Sequence, residues 1–99
     1  MGLEVWIGRM YEAITGKVAP PATDVARAIG AKSPCYRLLR DWRKGTRVPS
    51  VEDMFFLLSM AEKVDPGFER SCEMAIRLAW WAAAKRQWAG TPGDVADGN

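Results

Sequence analysis

Glycines and prolines cut this chain into short stretches, and within the stretches apolar residues recur at steps of three and four. The cuts are Gly16, Pro20, Pro21, Gly30, Pro34, Gly45, Pro49 and Pro66. Steps of three and four mark one face of a helix, whereas a half-buried strand needs alternation of apolar and polar residues. No such alternation occurs, so the chain reads as all-α with five helices.

The first helix is expected over about 3–15, with Leu3, Trp6, Ile7, Met10 and Ile14 on its inner face and Thr15-Gly16 at its end. "KVAPPA" is a linker, because two prolines fix φ and remove two donors. Thr23 or Asp24 caps a short helix, "DVARAI", that carries Val25, Ala26 and Ile29 on one side and stops at Gly30. Ser33-Pro34 opens the next helix, which runs from about Pro34 to Arg43, with serine as cap and proline at the first helical position. "KGTRVPS" is a turn. Ser50 and Asp53 make a capping-box-like pair for a fourth helix whose inner stripe is Val51, Met54, Phe55, Leu58 and Ala61, widened by Phe56, Leu57 and Met60. Asp65-Pro66 opens a long last helix over 66–88, and 89–99, small, polar and glycine-rich, reads as a disordered tail. Residues 1–88 thus form one domain.

Several function classes fall away on composition. The chain has 99 residues, enough for one modest core. No apolar run approaches the roughly 20 residues of a membrane span. The N-terminus has Glu4 and Glu12 and no basic region, so it does not read as a signal peptide, and the expected location is the cytoplasm of a bacterial host. There is no histidine, and Cys35 and Cys72 stand alone, whereas a zinc site takes about four N or S ligands. No metal or other cofactor is expected. Without histidine there is no Ser-His or Cys-His pair, and no glycine-rich phosphate loop is present, so an enzyme has no candidate residues.

The span Arg27–Ser50 holds seven Lys and Arg residues against one Asp. Taken alone, such a cluster is an ordinary solvated face, helped by the affinity of cations for helix C-termini. Its setting changes the reading. Ala26 lies four residues before Gly30, and a small residue there lets two helices approach; Val25, Ile29 and Ala31 are the apolar positions around the turn. This run, followed by the "GTRVPS" of Gly45 to Ser50, resembles the helix-turn-helix of phage repressor and Cro-like (Xre-type) regulators over about Thr23 to Val64. Asp65-Pro66 also resembles members of that family from filamentous and temperate phages, and "VARAIGAKSPCYRLLRDW" is similar to the CII-type phage activators. The resemblance implies a five-helix lambda-repressor-like domain and a DNA-binding role for a helix-turn-helix at about 24–43.

Two registers fit the second helix of that motif. In the family's, Tyr36 and Leu39 anchor it, although Tyr36 is bulkier than the usual Val or Ile and the Gly30–Gly45 spacing is about three residues longer than the common pattern. In the other, Cys35, Leu38, Leu39 and Trp42 form a core stripe at i, i+3, i+4 and i+7. The registers differ by about 100° of rotation.

From Thr23 to Arg47 there are seven basic and two acidic residues, net +5, and the rest of the chain has seven basic and ten acidic, net −3. DNA phosphates reward such separation through counterion release. Base edges would be read by Lys32, Ser33, Cys35 and Arg37, with Arg37 first as a bidentate guanine reader. Phosphates would fall to Arg40, Arg43, Lys44 and Arg47. In the last helix Met74, Leu78, Trp81 and Trp88 make an apolar stripe that one small domain cannot easily bury, which points to a homodimer interface. The expectation is a phage or prophage-type transcriptional repressor or activator that acts on double-stranded DNA, with RNA polymerase or another host protein as a further partner. The competing expectation is a small phage protein-interaction module, an antirepressor or host-takeover factor, that uses the Trp/Met-rich C-terminal surface.

Overall fold

The computed structural model describes residues 2–30 and 35–89, the side chains of Glu69, Ser71, Trp88 and Ala89 excepted. Five helices account for its regular structure: α1 (Leu3–Thr15), α2 (Ala22–Ile29), α3 (Tyr36–Lys44), α4 (Val51–Val64) and α5 (Phe68–Ala89). No strand occurs among the described residues. The disordered tail expected over 89–99 lies outside them from residue 90 onward, as do Ala31, Lys32, Ser33 and Pro34.

The first helix is the hub. It packs against each of the other four, while α2 pairs with α3 and α4 with α5. Leu3, Ile7, Met10, Tyr11 and Ile14 of α1 are all buried, and they meet Val25 of α2, Leu39 and Trp42 of α3, Leu57 and Leu58 of α4 and Ile76 of α5 in one apolar cluster. The step from Leu3 to Ile14 at threes and fours is therefore a stripe that water does not reach.

Helix starts depart from the sequence expectations in three places. The N-cap of α2 is Pro21, not Thr23 or Asp24. Asp24 falls in the first turn instead, where its carboxylate takes Lys17 at 3.0 Å and Arg27 at 3.6 Å and so has no capping duty. The third helix starts at Tyr36 with Cys35 as N-cap, two residues later than the proline signal suggested, and the first closed turn is Leu39 N–H to Cys35 O at 3.1 Å. Asp65 ends α4 rather than opening α5, and α5 begins at Phe68 rather than Pro66. Gly67 explains the last shift: its φ of +94° cannot be part of a right-handed helix and forces the break. The Ser50 cap is as expected, its Oγ accepting from Asp53 N–H at 3.1 Å.

The inner face of α4 is rotated from the expected stripe. Met54, Leu57, Leu58 and Ala61 are buried, but Val51 and Phe55 stay about half exposed. On α5 the buried side is Ile76 and Ala84, supported by Phe68, Cys72, Ala79, Trp80 and Ala83, while Ala75 and Ala82 are exposed. The Trp80 indole N–H donates to Pro49 O at 2.7 Å and ties α5 to the start of α4.

A polar pin passes through the core. The Tyr11 hydroxyl donates to Leu39 O at 2.7 Å in a buried setting, which joins α1 to α3. Arg43 lies over the Tyr11 ring, 5.8 Å from its centre, and donates to Pro20 O. Burial pushes the Tyr11 hydroxyl well above its ordinary value, and the Arg43 cation only partly opposes this. The folded protein therefore holds a phenolic proton that the unfolded chain gives up near pH 10. Stability from this group is complete below about pH 10 and falls above it by roughly 1.4 kcal/mol per pH unit. Alkaline unfolding followed by circular dichroism should show this loss, and Tyr11→Phe should remove that component. An unchanged profile in Tyr11→Phe would contradict the buried hydroxyl.

Candidate nucleic-acid interface

The third helix settles between its two registers by burying Leu39 and Trp42 and half-burying Leu38. Tyr36 is 48% exposed, so it is not the anchor that the family pattern would make it. Cys35, expected to complete the core stripe in the other register, is exposed as well. The physical reason is the start of the helix: Cys35 is the N-cap, so its side chain sits beyond the packed turns.

This register fixes the outer face. At about 100° per residue, Arg37, Arg40 and Lys44 fall within roughly 60° of one another and opposite Leu39 and Trp42. All three are exposed. Three of the four basic residues of α3 thus form a stripe at i, i+3 and i+7. Asp41 stands beside it and is flanked by the guanidinium Nε atoms of Arg40 at 3.8 Å and Arg47 at 3.9 Å. Exposed pairs of this kind are worth about 0–1 kcal/mol, so they orient the two arginines without holding them from another anion.

The turn after α3 is built to bring Arg47 alongside. Gly45 adopts φ +84°, a conformation other residues take at a cost, and reverses the chain there. Thr46 then returns two bonds to Asp41 O, from its N–H at 3.1 Å and its hydroxyl at 3.2 Å. Arg47 emerges 64% exposed on the same side as its Asp41 partner. Arg43, in contrast, is turned inward onto Tyr11 and Pro20. The sequence placed it with Arg40, Lys44 and Arg47 as a phosphate contact; in the structure its guanidinium serves the core instead.

At the leading end of α3, Cys35 and Arg37 are exposed and neighbours of Tyr36. The backbone N–H groups of Leu38 and Arg37 at the start of the helix draw the Cys35 thiol below its ordinary pKa. Such donors favour negative charge at that point. Lys32 and Ser33, the other two expected base contacts, lie outside the described residues.

One contributor escaped sequence reading. A cleft of about 310 Å³ beyond the C-terminus of α3 is lined by Glu4, Thr46, Arg47, Arg86 and Gln87 among others. Val48 N–H donates to Gln87 Oε1 at 3.1 Å, which holds the end of α5 against the turn. Arg86, exposed, therefore shares a cleft with Arg47 although the chain separates them widely. No local sequence signal marks it, because only packing of α5 brings it there.

The stripe expected to make a dimer is on the surface. Met74 is 68% exposed, Leu78 61% and Trp81 51%, while the side chain of Trp88 is outside the described residues. No protein-family model matches this chain, and no characterised protein or solved structure is significantly similar to it. No helix among the described residues is long and apolar enough to cross a membrane.

Proposed function

We propose that the chain is a sequence-specific, double-stranded-DNA-binding transcriptional regulator, a phage or prophage-type repressor or activator, with α2 and α3 as its helix-turn-helix. The observation that carries this reading is the stripe of Arg37, Arg40 and Lys44, exposed opposite buried Leu39 and Trp42 and extended by Arg47. A helix held by one face on a core and basic along the other can enter a major groove about 12 Å wide. Cys35 and Arg37, at the leading end, meet base edges; Arg40, Lys44 and Arg47 meet phosphates, with Arg86 available at the adjoining cleft. Arg43 holds α3 to α1 and the linker, so the reading surface does not depend on α3 alone. Regulation follows from position: a bound copy that overlaps a promoter excludes polymerase, and one beside it offers a surface to polymerase.

Counterion release supplies the test. Three phosphate-contacting cations predict that log K falls against log salt with a slope of roughly −3 per bound copy. Fluorescence anisotropy with a labelled duplex between about 50 and 200 mM salt measures it. A slope near zero would reduce the stripe to a solvated face.

A second reading is favoured by one observation, the exposure of Met74, Leu78 and Trp81. In it the chain is a protein-interaction module, an antirepressor or host-takeover factor, and the Trp/Met-rich surface binds a host protein. Removing Arg37 and Arg40 separates the readings, since it abolishes DNA binding and leaves a partner of the α5 surface unaffected.

A further inference from the structure

A hollow of about 230 Å³ runs between α4 and α5, floored by Met54, Leu58 and Ile76 and walled by Phe55, Trp80 and Trp81. Beside it on α5 stand Met74 and Leu78, which do not line the hollow and project into solvent. One continuous patch therefore carries both a hollow and a ridge. We infer that this α4–α5 face is where a second copy of the chain docks, the Met74–Leu78 ridge of each copy seated in the hollow of the other.

Area, shape and charge select this occupant. Val51, Phe55, Met74, Leu78 and Trp81 are 48%, 52%, 68%, 61% and 51% exposed. At about 150–250 Å² per aromatic and somewhat less per aliphatic side chain, they leave on the order of 500 Å² of apolar surface in water. A standard interface takes about 800 Å² from each partner, and a homodimer makes about 65% of that apolar, which is again about 500 Å². A two-fold contact needs one surface that complements itself, and a ridge next to a hollow does so. The polar rim is self-compensating too: Arg77 and Glu73 pair at 2.5 Å, so a second copy brings no excess charge of either sign. Arg70 and Lys85, both exposed, lie one helical turn, about 6 Å, beyond either end of the Met74–Trp81 stretch and so stay in the solvated margin. A strongly acidic or basic partner would find no matching field here.

The inference deepens the DNA-binding reading, and its functional consequence rests on it. The hollow is lined from α4 and α5 with no residue of α3, so a contact seated in it leaves the α3 stripe open. Two recognition helices then face one duplex and read two half-sites about 34 Å apart.

The test begins with the mass of the full chain in solution, by light scattering or sedimentation, without DNA. The expected result is twice the chain mass at micromolar concentration. Leu78→Glu and Phe55→Glu, both at exposed positions, should raise the dimer dissociation constant by roughly 100-fold or more at unchanged helical content. Arg37→Ala should retain the dimer mass and lose DNA affinity, which keeps failure of one proposal distinct from failure of the other. A natural chain of single mass up to about 100 μM, well above the micromolar range of a standard interface, would overturn the inference. So would dimers that persist in both glutamate variants. Should a glutamate variant lose helical content, the mass of the natural chain alone decides.

Discussion

Alanine at both Arg37 and Arg40 should lower affinity for a preferred duplex by about 10²- to 10⁴-fold and leave thermal unfolding almost unchanged. The first half follows from contact chemistry. A bidentate arginine on guanine is worth about 1–3 kcal/mol against the wrong base, and a phosphate contact adds to this and to the salt slope. The second half follows from exposure: both side chains are on the outer face, and the Arg40–Asp41 approach at 3.8 Å is a surface pair of small worth. A charge-matched control, Arg9→Ala with Lys63→Ala, removes two exposed cations from other helices and should cost less than about tenfold, through the general field alone. Equal losses in the two double variants would mean that net charge, not α3, governs binding.

Trp42→Ala should have the largest effect on stability, about 3–5 kcal/mol. Its ring is 3% exposed and belongs to the cluster in which α3 meets α1. Small domains hold only about 5–15 kcal/mol in total, so the variant should melt on the order of 20 °C lower. DNA affinity should fall with it at 37 °C and recover on cooling, because the stripe itself is untouched. A cost under about 1 kcal/mol would contradict the register in which Trp42 anchors α3. The contrast with the arginine pair is informative: one change removes the reading surface, the other its support.

The helices were legible in the sequence because their boundaries are local chemistry. Gly16, Gly30 and Gly45 each take a positive φ at a helix end, and Ser50 caps α4 through Asp53, all within a few residues of chain. The starts of α2, α3 and α5 were less legible because capping signals compete. Asp24 could cap, but Lys17 at 3.0 Å claims it; Asp65 could open a helix, but Gly67 at φ +94° separates it from α5. Register was harder still. Both arrangements of α3 were locally consistent, and the choice depended on what α1 offered across the core.

The candidate interface divides in the same way. Arg37, Arg40, Lys44 and Arg47 could be picked out from charge and spacing alone. Arg43 could not be told from them, since its inward turn requires the Tyr11 ring and the Pro20 carbonyl, both distant in sequence. Arg86 was invisible for the opposite reason, counted with the acidic remainder of the chain until α5 carried it beside Arg47. On α5, the surplus of apolar residues was legible, but the partition between the inward Ile76 and the outward Leu78 and Trp81 was set by α4.

The most direct test of the central claim is selection of bound duplexes from a random DNA pool, run in parallel with the natural chain and Arg37→Ala. The account predicts enrichment of a defined motif by the natural chain, with one or more positions relaxed in the variant. Enrichment of no motif by the natural chain would contradict a sequence-reading role for α3 and leave the α4–α5 surface as the working face of the protein.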